Sequence, residues 1–269
     1  MRPGVNRAVS GEGSPRGSLL SALRSEALKS KHGAPVKLAV IMALPFPLLA
    51  LFAAVSEPEL GLSYTPWNYW YALLMPVTIS LMSATVANAD IRLGNRALLS
   101  SGVSLRRAWC AKVAWCLMLS LASNLIVFGV YVVASCVTPV GAASVPAMLS
   151  AAVAVTLTSS WMIPATLLLS MGAGMLAGIF IPLATQIVLS FGWSAIPFWP
   201  ACPPAATIIL PTAFLPVLPS GEPLSAGADV AASIGQFGGI SLVALAVAAV
   251  MLVILMMVGA AWLSRSEER

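Results

Sequence analysis

Residues 90–112 read DIRLGNRALLSSGVSLRRAWCAK, and they place five of the chain's fourteen Lys and Arg residues between two long apolar runs. The five are Arg92, Arg96, Arg106, Arg107 and Lys112. Toward the N-terminus the next basic residue is Lys37, preceded by Arg2, Arg7, Arg16, Arg24, Lys29 and Lys31; toward the C-terminus none occurs before Arg265 and Arg269. Six apolar helices drawn through a membrane put all fourteen on one side, and the opposite loops keep only Glu57, Glu59, Glu222 and Asp229 as charges. Cytoplasmic loops are the ones enriched in Lys and Arg. The expected protein is therefore an all-α, multi-pass protein of the cell membrane, with both termini in the cytoplasm.

Composition leads to the same class. The chain is 59% hydrophobic and 9% charged, whereas soluble domains carry about 25% charged residues. Its isoelectric point near 9.3 then reads as an insertion signal, and no nucleic-acid partner is expected. A span needs about 20 apolar residues, which places the six at 37–55, 67–88, 113–137, 147–169, 173–195 and 238–263. The fourth and fifth are expected to form a tight hairpin, broken only near Ser170 to Gly174. Trp67, Tyr69, Trp70 and Tyr71, then Trp193, Phe198 and Trp199, mark the outer interface, while Trp109 and Trp262 mark the inner one. Trp161 falls mid-span and reads as helix packing. The 36 residues before the first apolar run are too many, and the run too wide, for a signal peptide whose apolar stretch is about 7 to 15 residues.

The spans offer little chemistry. Ion-coupled carriers place ionisable groups inside the bilayer, but here the near-membrane acid is Asp90 and the sole histidine, His32, precedes the first span. Neutral polar residues remain: Asn124, Gln186 and the cluster Thr156, Thr158, Ser159 and Ser160. These read either as interhelical hydrogen bonds or as a surface facing a substrate. No HExxH, CxxC or GxxxxGK[ST] occurs, so no catalytic residue, metal site or cofactor site is assigned. Of the four cysteines, Cys110 and Cys116 flank the start of span three. Cys136 and Cys202 lie toward the outer side, where a bridge is possible but unpaired thiols are expected. Gly172, Gly174 and Gly178 read as a close helix–helix contact.

Three further segments carry pattern. Residues 18–36 contain a basic amphipathic helix with Leu19, Leu20, Leu23, Ala27 and Leu28 on one side and Arg24, Glu26, Lys29 and Lys31 elsewhere. It should lie in the membrane interface, after a disordered extension at 1–17. The segment 89–112 has an apolar component in Leu98, Leu99 and Leu105 and is broken at Gly102 and Ser104. It reads as a basic cytoplasmic loop or as a docking surface. The external loop 196–232 is apolar but punctured by seven prolines between Pro197 and Pro219, so it is expected to dip into the outer leaflet or to lid the bundle.

This order of parts resembles an ABC-2 type permease. Ser25 to Lys31 running into Ala43-Leu44-Pro45, Trp67-Asn68-Tyr69-Trp70-Tyr71, Asn95 to Ser100 leading to Arg107-Ala108-Trp109-Cys110-Ala111-Lys112, and Leu218 to Leu224 look like the lantibiotic-immunity permeases of the mutacin and epidermin type. The resemblance implies one ABC-2 type transmembrane domain over 18–269. Its implied partners are a second permease subunit, cytoplasmic ABC ATPase subunits that bind the ATP, membrane lipid, and an amphiphilic peptide removed from the producer's own membrane. It makes Arg96, Leu98, Leu99, Leu105, Arg106 and Arg107 the ATPase-coupling residues. Thr156, Ser159, Ser160, Gln186 and Phe214 are then expected along the substrate path. Two other readings stay open: a permease for a different amphiphile such as a drug or lipid, and a non-transporting membrane scaffold.

Overall fold

The computed structural model describes residues 18–31, 33–92, 104–224 and 236–267. Those residues are almost all helical, and no strand occurs among them beyond one isolated bridge between Val217 and Pro223. Five helical stretches are long and apolar enough to cross a membrane: Ala34–Ser56, Thr65–Ala89, Leu105–Val137, Val145–Gly172 and Gly239–Arg265. The remaining expected span is the shorter helix Met175–Phe191. Its 17 residues extend about 26 Å at 1.5 Å per residue, a little under the roughly 30 Å of a hydrocarbon core.

The first element, α1 (Leu19–Ser30), starts where the Ser18 hydroxyl accepts from the Ser21 N–H at 3.2 Å. The first long stretch is two helices, α2 (Ala34–Ile41) and α3 (Pro45–Ser56). Pro45 supplies no N–H, and the chain turns at Met42 to Leu44 before it. Ser123 donates to the Ala39 carbonyl at this turn, 2.8 Å away. Thr138 likewise donates to the Ala54 carbonyl near the end of α3, so helix-end acceptors inside an apolar bundle find side-chain partners.

Proline also shapes the next two stretches. A π-helical turn, Trp70–Leu74, joins α4 (Thr65–Tyr69) to α5 (Met75–Arg92), and the Met75 N–H reaches the Trp70 carbonyl. Pro76 cannot donate in the α-helical pattern, and the wider turn absorbs the mismatch. After α6 (Leu105–Val137), the helices α7 (Val145–Ser159) and α8 (Met162–Gly172) meet at Ser160 and Trp161. Pro164 leaves the Ser160 carbonyl without its usual donor, and the Ile163 N–H takes it at 3.1 Å instead.

Gly174, at φ 99°, turns the chain from α8 into α9 (Met175–Phe191), a conformation that a Cβ would strain. The two arms pack so closely that a Cβ on Gly178 would lie 2.7 Å from the Ser170 backbone nitrogen. Of the glycine series, Gly178 is thus the close intramolecular contact, while Gly174 serves the turn and Gly172 lies near Trp262. Then follow α10 (Pro203–Ile209), a short helix whose seven residues are all buried, and α11 (Gly239–Glu267). The core joins Trp67, Trp70, Met75 and Met82 to Tyr131, Met148, Met162 and Leu167. Phe52 of α3 and Ile254 and Met257 of α11 stay exposed, as lipid-facing residues do.

Two sequence expectations change. The helix that carries span three begins at Leu105, eight residues ahead of the expected span, because Ser104 precedes an unbroken helix of 33 residues. The segment 89–112 therefore splits: its start closes α5, its last residues form the opening turns of α6, and 93–103 lie outside the described residues. In α1 the buried row is Ala22, Glu26 and Ser30, so Glu26 is not on an outward polar face. A lysine from another helix draws it in, as described below.

Candidate functional site

Two chains of neutral hydrogen bonds occupy the middle of the bundle. In the first, the Trp70 indole N–H donates to Asn124 Oδ1 at 2.9 Å, and Asn124 Nδ2 donates to Thr156 Oγ1 at 3.0 Å. In the second, the Trp161 indole N–H donates to Gln186 Oε1 at 3.1 Å, and Gln186 Nε2 donates to Ser190 Oγ at 3.0 Å. Ser190 then donates to the Pro204 carbonyl at 2.8 Å. The first chain ties the stretches containing α5, α6 and α7; the second ties α8, α9 and the buried α10. Both run past the break between α7 and α8.

These contacts decide where the expected path residues stand. Thr156 donates to the Ala152 carbonyl, Ser159 to Val155 and Ser160 to Leu157. With Gln186, all four are buried inside the bundle. Hydroxyls and amides on a membrane helix turn inward, since lipid offers no hydrogen bonds. Phe214 alone of the five borders open space.

That space is a groove of about 540 Å³, walled by Leu149, Ser150, Val153, Ala154 and Leu157 of α7, together with Phe214, Phe237 and Leu245. The rings of Phe214 and Phe237 pack at 5.2 Å between centroids. Among the described residues, no ionisable group lines it. Leu149, Val153 and Leu157 escaped the sequence reading because attention fell on the hydroxyls of the same helix. Their i, i+4, i+8 spacing was the available signal, since it puts the three on one line along the helix, turned away from Thr158 and Ser159.

The groove sits beside the Pro-rich segment, which packs into the bundle at the end away from α1. Asn68 donates to the Leu218 carbonyl at 3.2 Å, and Thr65 to Gly221 at 2.7 Å. Gly221, at φ 90°, allows the turn that brings its carbonyl there. Nearby, the Tyr64 phenol accepts from the Ala143 N–H at 2.8 Å. Burial pushes that phenol up from its usual range, and the backbone donation opposes the shift.

At the opposite end, Glu26 lies 3.1 Å from Lys112 and 2.8 Å from Lys29. Glu26 is 5% exposed and Lys112 only 2%. Of the expected coupling residues, Arg106 is exposed, Arg107 is half-buried, and Leu105 turns toward Trp109, Met171 and Leu263. Arg96, Leu98 and Leu99 lie outside the described residues. The Trp109 indole N–H donates to the Met256 carbonyl at 3.0 Å and so fastens α6 to α11.

All four cysteines are free, Cys136 and Cys202 included. No group of three or more His, Cys, Asp or Glu among the described residues is placed to hold a metal ion. No family model, no curated protein and no solved structure matches the chain.

Proposed function

We propose that this chain is the permease subunit of an ABC transporter of the ABC-2 type. In this reading it exports a lantibiotic-type antimicrobial peptide from the membrane and is powered by ATP bound to a separate ATPase subunit. It has six spans with both termini in the cytoplasm, α9 being a short fifth span continued by the turn at Trp193–Ala195. The observation that carries the reading is α10. A seven-residue helix buried between the fifth and last spans is too short to cross a bilayer and matches the partly inserted element expected there. Basic residues at the start of α6, Arg106 foremost, then contact the ATPase.

The groove beside Phe214 supports an amphiphilic cargo. Its described wall is mostly apolar and carries no charge, so a bound molecule gains there from shape and dispersion and not from an ion pair. Apolar burial is worth roughly 25 cal/mol per Å² only for surface that leaves water. A ligand arriving from lipid gains less, and discrimination among amphiphiles is loose. This favours, as the second reading, a permease for some other amphiphile.

The experiment is tolerance of a lantibiotic-sensitive host that expresses this chain with a partner permease and the ATPase. A rise in tolerance is expected, and the pair Arg106→Glu and Arg107→Glu should abolish it while the protein remains in the membrane. No gain, with every subunit detected in the membrane, refutes the lantibiotic assignment. Tolerance to other amphiphiles in the same strain then selects the second reading, and its absence leaves the scaffold.

A further inference from the structure

Glu26 is the one acidic residue of α1, and the fold removes it from the helix surface. It points into the bundle beside Ala22 and Ser30, bridged to Lys112 of α6 and to Lys29. The opposite side of α1 then carries no acid. Contrary to the expected separation of leucines from cations, Leu20, Arg24, Leu28 and Lys31 sit at i, i+4, i+8 and i+11, so they form a single line along the helix. Leu20 is 74% and Leu28 64% exposed, and Arg24 and Lys31 are exposed as well. Leucines and cations thus alternate on one face that no other described element covers.

The geometry points to this row as a docking surface for anionic membrane lipid. Leu20 and Leu28 enter the edge of the hydrocarbon, and Arg24 and Lys31 meet lipid phosphates from the same side. Leucines alone would settle equally on a neutral leaflet, and the two cations, with no acid on their side of α1, supply the preference for negative charge. Each Lys or Arg at an anionic surface is worth about 1 kcal/mol, or roughly fivefold. Had Glu26 faced outward, it would have cancelled one of the two. The Glu26–Lys112 contact therefore fixes how α1 is rolled and leaves its outer row purely basic and apolar.

The test uses the full chain with its four cysteines replaced by alanine and a fluorophore on Leu28→Cys, in nanodiscs of phosphatidylcholine mixed with phosphatidylglycerol. Either lipid carries brominated tails that quench the label on contact. Quenching by both lipids is expected, with the anionic one favoured about fivefold or more. In the pair Arg24→Gln and Lys31→Gln the preference should fall to near unity while quenching persists, which also reports that α1 stays in place. No quenching by either lipid would mean that protein covers the face and would overturn the proposal. Equal quenching by the two lipids would show an apolar anchor without headgroup selection. A preference that survives both substitutions would assign it to other residues.

Discussion

Changing Glu26 to Gln removes the carboxylate shared by Lys112 and Lys29 without changing side-chain size. The side chains of Glu26 and Lys112 are 7% and 3% exposed, so little solvent screening softens the loss. Removing one partner of such a buried pair costs about 3 to 5 kcal/mol. Lys112→Met is milder, because Glu26 keeps Lys29 at 2.8 Å; its cost is that of a charged hydrogen bond, about 1.5 to 3 kcal/mol. Replacing both partners by apolar groups of similar volume, Glu26→Leu with Lys112→Met, should return to within about 1 kcal/mol of the parent. Because α1 touches the bundle along one row, the loss should appear as local opening of α1 ahead of global unfolding. Amide hydrogen exchange of α1 in detergent or nanodiscs measures it, and 3 kcal/mol corresponds to exchange faster by roughly 100-fold. Glu26→Gln leaving exchange within about threefold of the parent, well under 1 kcal/mol, would refute the pair as the anchor of α1. A double variant as damaged as Glu26→Gln would show that packing, and not charge, sets the contact.

Other outcomes follow from single contacts. Gly178→Ala drives a methyl into the Ser170 backbone, so α8 and α9 must part, and a loss of about 1 to 3 kcal/mol is expected in detergent unfolding. Asn124→Leu leaves the buried Trp70 indole N–H without its acceptor and should cost roughly 1 kcal/mol, near the upper range for interhelical bonds in membranes; Trp70→Phe adds the loss of buried indole volume, and the coupling read from the double-mutant cycle should be about that same size. Reporter fusions after Leu60, Gly141 and Gly221 should all score external, and an internal score at Gly141 would dissolve the assignment of the third and fourth spans.

How much of this was readable in the chain depends on which force sets each feature. Membrane insertion responds to apolar length and to the position of cations, both of which are linear properties. The long apolar helices, the α8–α9 hairpin and the inability of the Pro-rich loop to cross were accordingly legible from residues 37 onward. The π turn before Pro76 and the break before Pro164 were not read from the sequence and are seen only in the structure. The break read at Ser104 falls just before α6, whose helix then runs from Leu105 ahead of the apolar stretch expected to cross.

What the tertiary structure alone decided is the direction in which each side chain faces once the helices pack. Sequence located the Thr156, Ser159 and Ser160 cluster and Gln186, but a hydroxyl on a membrane helix serves either a ligand or a neighbouring helix. Only the positions of Asn124 and Trp161 showed that Thr156 and Gln186 serve neighbours. Glu26 looked like a solvated charge until Lys112, 86 residues away, proved to be its partner. Composition and order along the chain determined the long apolar helices that suit this protein to a membrane. Long-range packing determined which polar groups are consumed inside the bundle, because hydrogen bonds and buried ion pairs form between residues whose proximity no local pattern encodes.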